Sequence, residues 1–124
     1  MKYEIHRRDD FIEIVTHGDG DAAVFQAILT EVLTHQDWKS GTPILVNHSD
    51  LNAGPLTVRE MSTLADMMAA ARVELGTSRM AILAPNDLEF GLGRMWQVFA
   101  DKKWDGTSKI FRGRENAVSW LTQA

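Results

Sequence analysis

The sequence predicts a single α/β domain spanning residues 1–124, a five-stranded mixed, mostly parallel sheet with an N-terminal β-hairpin and about four helices. Three observations lead there. Two N-terminal segments alternate apolar and polar residues with period two. Two later segments are short, nearly continuous apolar runs, the pattern of strands covered on both faces in a parallel sheet. Between and after these runs, apolar residues recur at helical spacing, so that strands alternate with helices.

The elements follow in order. "KYEIHRR" and "FIEIVTHG" alternate, and the intervening "RDD" supplies turn chemistry, which together predict an antiparallel hairpin. A helix is expected where Val24/Phe25, Ile28/Leu29 and Val32/Leu33 repeat every four residues. "PILVNHS" is the next strand. Met61, Leu64, Ala65, Met68 and Leu75 form a second apolar stripe, with Gly76 as its C-terminal stop. "SRMAILA" is a further buried strand, and Leu88, Leu92, Met95 and Phe99 form a third helical stripe. "SKIFR" closes the sheet, and Ala117, Trp120 and Leu121 mark a short final helix. Right-handed crossovers should connect the parallel strands.

Composition limits the function classes. The chain has 124 residues, 44% hydrophobic and 24% charged, and a formal net charge of −4. That charge argues against non-specific nucleic-acid binding, which needs a basic surface. The absence of cysteine excludes disulfides, zinc–thiolate sites and thiol chemistry, and fits a cytoplasmic location. No apolar run approaches the roughly 20 residues of a membrane span, and "MKYEIHRRDDF" does not read as a signal peptide.

Several motifs invite a functional reading. In "EFGLGRMW", Gly91 and Gly93 resemble part of a dinucleotide loop, but Trp96 stands where the third glycine should be. Asn86 and Glu89 suit a helix N-terminus, which puts the glycines inside a helix. On a helical wheel Gly91 falls within the Leu88–Met95–Val98 face, where a small residue would let the helix approach the sheet. Phe90 projects away from that face, Arg94 flanks it and Trp96 widens it, more apolar surface than one sheet face requires. Phe90, Arg94 and Trp96 are therefore a candidate interaction surface.

Elsewhere, "HGDGD" offers His17, Asp19 and Asp21, of which an aspartate is best explained as a helix cap. "NHSD" places His48, Ser49 and Asp50 at the C-terminal end of a parallel strand, where α/β proteins hold ligands. His48 and Ser49 should point to opposite faces, which argues against a nucleophile–base pair. Arg112 and Arg114 follow the last strand, and with the "NHSD" loop Arg112 makes a candidate anion site. Thr57 and Glu60 form a capping-box signature, and Thr57 is the candidate phosphosite. No cofactor or metal is implied.

Taken together, the "YEI" hairpin, "PILVNHSDL", "LAPNDLEFGLGRMWQ" and "KIFRGRENAVSWL" resemble the bacterial SpoIIAA-like family, over nearly the whole chain. Its most specific pieces are "FGLGRMW" and the ending with Phe111, Arg112, Ala117, Trp120 and Leu121. That family is related in fold to STAS domains and more distantly to Sec14-type lipid-binding domains. The resemblance implies a five-stranded mixed sheet in a small stand-alone protein, and it does not imply an enzyme. The Asp-Ser-Ser-Gly-like phosphorylation motif of anti-sigma-factor antagonists is absent, and "HSDLNAGPLTVRE" occupies its place.

The first functional expectation is a non-catalytic, STAS-like regulatory or protein-interaction module acting through Phe90, Arg94 and Trp96, as a homodimer or with a regulatory protein partner. The alternative is a small apolar-ligand or lipid-binding domain of Sec14-like type, with a cavity lined by Met61, Leu64, Met68, Met95 and Phe99. An enzyme using His48, Asp50 and Asp19 or Arg112 is the weakest reading, since each residue has a structural explanation.

Overall fold

The computed structural model describes residues 1–123, and its order of elements is ββαβααβαβα. β1 (Lys2–Arg7) and β2 (Ile12–Asp19) form the expected antiparallel hairpin, with Ile5 opposite Ile14. β3 (Ile44–Asn52), β4 (Arg79–Leu83) and β5 (Thr107–Phe111) add in parallel, and the sheet order β1-β2-β3-β4-β5 repeats the chain order. Every crossover thus steps the same way, and right-handed connections leave their helices on one face. There α1 (Ala22–Thr34) packs beside α2 (Val58–Ala70), and α2 beside α4 (Asp87–Ala100). α5 (Arg114–Leu121) returns under β4 and β3 on the opposite face.

Period-two alternation splits the core accordingly. Ile44, Met80 and Ile82 join the crossover helices, whereas Leu45, Ala81 and Leu83 pack with Phe11, Ala117 and Leu121. α1 begins at Asp21, whose carboxylate accepts from the Ala23 N–H at 2.9 Å. α2 begins with the predicted capping box: Thr57 Oγ1 accepts from the Glu60 N–H at 3.1 Å, and Glu60 Oε1 accepts from the Thr57 N–H at 3.0 Å. Such caps satisfy otherwise orphaned donors and are worth about 1 kcal/mol each. No helix among the described residues is long and apolar enough to cross a membrane.

Two local features depart from the expected helices. The stripe from Met61 to Leu75 is interrupted at Ala71, with φ −98° and ψ 9°. Leu75, fully buried, instead belongs to a single turn, α3 (Arg72–Leu75), that ends at Gly76 with φ 62°. That turn re-aims the chain toward β4 while keeping Leu75 in the core, and it makes a fifth helix where four were expected.

The second departure is a rotation of α4. Of the expected stripe, Leu92 and Phe99 pack against the core, but Leu88 and Met95 turn outward with Val98, at 51%, 37% and 76% exposed. Glu89, Trp96 and Ala100 are buried, and Leu92, Gly93 and Phe99 are partly so. The close approach is made by Gly93 rather than Gly91. A Cβ on Gly93 would lie 3.4 Å from Ile110 Cδ1, whereas one on Gly91 would meet nothing. Burying the larger Trp96 removes more apolar area from water than burying Met95 would, and the glycine beneath gives the helix room to do so.

Candidate functional site

A β-bulge borders the polar corner of the site. Val15 pairs with Asn47 and His17 with Asp50, so that His48 and Ser49 stand opposite the single residue Thr16. Val46 and His48 face the crossover helices. Strict alternation would then turn Leu51 to the other face; the extra residue returns it to the His48 side, where both line a cavity.

That cavity, of about 120 Å³, lies between the sheet and α1, α2 and α4. Phe25 and Leu29 of α1, Met61 and Met68 of α2, and Leu92 and Trp96 of α4 form its walls, over a floor that includes Ile14, Val46 and Ile82. Only three side chains on its wall carry polar atoms beyond the indole nitrogen of Trp96 and the thioethers: Thr16, His48 and Glu89. Thr16 Oγ1 lies 2.7 Å from His48 Nδ1 and 3.3 Å from the Asn47 carbonyl oxygen. The rings of His48 and Phe25 meet in a T-shaped contact at 5.6 Å between centroids. Burial pushes the His48 pKa down to about 4, so the imidazole is neutral at pH 7. Glu89, 7% exposed, receives the Ala53 N–H on Oε2 at 3.0 Å.

The opposite face holds a second buried carboxylate. Glu13 Oε1 accepts from Arg8 Nε at 2.9 Å and Arg114 Nη2 at 2.6 Å; Oε2 accepts from Arg114 Nη1 at 2.7 Å and Asn47 Nδ2 at 3.3 Å. The Arg114 fork, with Arg8 and Asn47 assisting, holds its carboxyl at about 2, against the burial that would raise it. This cluster fastens the start of α5 to the N-terminal hairpin.

By structure, the chain is similar over 97% of its length, and over 92% of the other chain, to an uncharacterized protein from the DUF3478 family with a SpoIIAA-like fold from Shewanella loihica PV-4. The TM-score is 0.61 and the sequence identity 19%. This chain has a SpoIIAA-like fold. No protein-family model matches it, and no curated protein matches it by sequence. At such identity the likeness carries architecture alone.

Within the SpoIIAA-like fold, the expected site residues separate. Of the predicted surface, Trp96 is 8% exposed and lines the cavity, so it is not part of an exposed patch. Phe90 is half-buried, with the Arg112 guanidinium 4.2 Å above its ring and Arg94 at 6.0 Å. The apolar residues that α4 does expose are Leu88, Met95 and Val98. His48, Ser49, Asp50 and Arg112 do not converge on one loop. His48 faces the cavity, Ser49 Oγ donates to Asn47 Oδ1 at 2.6 Å, and Asp50 faces His17 at 3.6 Å. Arg112 is tied to Asp87 at 2.7 Å and the Pro85 carbonyl at 3.3 Å. Thr57 is engaged in its cap. Met61, Leu64 and Met68 line the cavity as expected, but Met95 and Phe99 do not, because of the rotation of α4.

Three contributors escaped the sequence reading. Glu89, assigned to a cap with Asn86, leaves that cap unmade and reaches Ala53 instead. Its spacing of seven residues from Trp96 puts both on one helix face, which was the available signal. Thr16 faces the cavity by simple alternation with Ile12 and Ile14, and the register that pairs Val15 with Asn47 brings it to His48. Arg114, expected among solvent or anions, is the partner of Glu13.

Proposed function

We propose that this chain is a non-catalytic binding domain that holds one compact apolar molecule between the sheet and its crossover helices. One observation carries the reading: a cavity of about 120 Å³ walled by apolar side chains from α1, α2, α4 and the sheet. Native interiors are packed to crystal density, so such a space is a departure from what folding alone requires. For scale, engineered apolar cavities of about 150 Å³ accept benzene. The occupant is therefore nearer a single ring or a short chain than a full-length lipid.

The non-catalytic part rests on how the hydroxyls are engaged. Ser49 is bonded to Asn47 rather than to His48. Thr16 is close to His48, but it is fully buried, its contacts spent on that ring and a carbonyl. Neither makes an activated nucleophile open to a substrate. The cysteine-free composition supports a cytoplasmic setting.

Native mass spectrometry of the purified protein beside its denatured mass tests the reading. A bound mass lost on denaturation is expected. A bare mass, together with no saturable uptake of toluene-sized probes, would overturn it.

The regulatory, protein-interaction reading keeps one observation in its favour. Leu88, Met95 and Val98 form an exposed apolar ridge along α4, a surface suited to a second copy or a protein partner. Concentration-dependent sedimentation that responds to Val98→Asp supports it; an unchanging monomer that also captures no partner removes it.

A further inference from the structure

The polar atoms of the cavity wall are not evenly divided between donors and acceptors. Thr16 Oγ1 touches both His48 Nδ1 and the Asn47 carbonyl, at 2.7 and 3.3 Å, yet a hydroxyl has one proton. Both contacts are made together when His48 Nδ1–H donates to Thr16 and Thr16 donates to the Asn47 carbonyl. The other tautomer would spend the Thr16 proton on His48 and leave the carbonyl contact without one. A neutral imidazole carries a single N–H, so placing it on Nδ1 leaves Nε2 as a bare lone pair. No side chain of the described residues bonds that nitrogen.

Glu89 is similarly half-used. Oε2 takes the Ala53 N–H, and Oε1 takes nothing from the protein. No fully buried side-chain nitrogen or oxygen among the described residues lacks a partner. His48 Nε2 and Glu89 Oε1 are thus both open to an incoming molecule, and both belong to cavity-lining residues. The lining includes no lysine or arginine.

Resting on the binding reading above, we propose that the ligand is a compact apolar molecule bearing one uncharged hydrogen-bond donor, a hydroxylated ring or short alcohol, whose O–H is received by His48 Nε2 or Glu89 Oε1. A carboxylate or phosphate head would bring charge and further acceptors to a wall that already presents acceptors and has no cation to pair with them. An acceptor-only head would leave the same groups unsatisfied, as would a plain hydrocarbon. Sites that hydrogen-bond a substrate hydroxyl reject analogues lacking it strongly for this reason.

The test is an amide-resolved NMR titration of the full chain with phenol, toluene, anisole and benzoate, which share one ring and differ in the head. Phenol should saturate at least tenfold more tightly than toluene or anisole, with shifts at Thr16, His48 and Glu89, and benzoate should give no saturable shift. Equal affinities for phenol and toluene would overturn the donor assignment while leaving the binding reading intact. Tighter binding of anisole or benzoate would overturn it as well. If none of the ligands saturates, the binding reading fails and this inference fails with it. In Glu89→Gln the amide oxygen can still receive the Ala53 N–H, while a donor replaces the free acceptor; His48→Phe deletes the other acceptor. The phenol-to-anisole preference should fall at least tenfold in the variant that removes the receiving acceptor, and a preference kept in both would overturn the assignment.

Discussion

The sheet has a buried carboxyl on each face, and the two are treated in opposite ways. Glu13, 2% exposed, meets two guanidiniums and an amide, and both of its oxygens are occupied. Glu89, 7% exposed, meets one backbone N–H and keeps an oxygen free beside a cavity. Around Glu13 the neighbouring core is small and closed, Leu45, Ala81, Leu83, Ala117 and Leu121 filling the space under α5. Around Glu89 the core is larger and hollow. A saturated carboxylate serves stability, whereas an unsaturated one beside empty volume retains capacity to bind. The contrast separates a face whose polar groups are fully paired from one that keeps unpaired acceptors beside a cavity.

The largest effect should come from breaking the saturated side. Arg114→Ala removes the bidentate partner and leaves the buried carboxylate only Arg8 and Asn47, which should cost about 3 kcal/mol in chemical denaturation. Glu13→Gln should cost less, because Arg8 and Arg114 are half-exposed and can turn to water. If Arg114→Ala cost under about 1 kcal/mol, within the range of an exposed ion pair, the cluster would be surface decoration rather than a clamp.

Acid should separate the two faces by pH. The folded-state pKa of Glu13 is depressed from 4.5 to about 2. Its stabilisation is therefore complete above the unfolded value and lost as pH falls through that interval, up to about 3 kcal/mol by linkage. His48 is depressed from 6.5 to about 4. Its neutral form is native, so stability is full above the unfolded pKa and declines as pH falls between those values, again by up to about 3 kcal/mol. Denaturation midpoints followed with pH should show an upper limb that disappears in His48→Phe and a lower limb that disappears in Glu13→Gln. A single limb insensitive to either change would contradict the assignment.

The same enlargement on each face measures the hollow directly. Leu45 is fully buried in the closed core, and Leu45→Phe should overpack it by about 2 kcal/mol. Leu64 lines the cavity, so Leu64→Phe has room to enter and should stay within about 1 kcal/mol of the parent. It should also weaken the binding of any ring-sized probe. Similar costs at both sites would mean that the cavity face is as tightly filled as the other.

The architecture was legible because its signals are local. Alternation marked the hairpin, continuous apolar runs marked β3 and β4, and Thr57 with Glu60 marked the start of α2. The site was harder, because its polar residues meet through the pairing of two distant strands and the rotation of one helix. Periodicity shows that α4 is a helix, but its two candidate apolar faces differ by about one residue's turn. Leu88, Met95 and Val98 made one face; Leu92, Trp96 and Ala100 made the other. Choosing between them needed the shape of the sheet beneath, which no local pattern carries. Glu89 then looked like a cap because the same residue type at that spacing serves both ends.

The glycines of α4 offer the smallest and cleanest test of that rotation. If Leu88, Met95 and Val98 faced the sheet, Gly91 would be the close-approach position and alanine there would clash. With the face turned, a Cβ at Gly91 meets no atom within 4 Å, while one at Gly93 lies 3.4 Å from Ile110 Cδ1 and 3.5 Å from Ile110 Cγ2. Gly91→Ala should therefore stabilise the protein by up to about 1 kcal/mol, the helix-propensity difference alone. Gly93→Ala gains the same propensity, but must push Ile110 by a few tenths of an ångström or tilt α4 toward the cavity. Its net change should be smaller than that of Gly91→Ala, and its effect on probe binding larger. Reversal of that order in paired thermal and titration measurements would return the Leu88 face to the sheet and take Glu89 and Trp96 off the cavity wall.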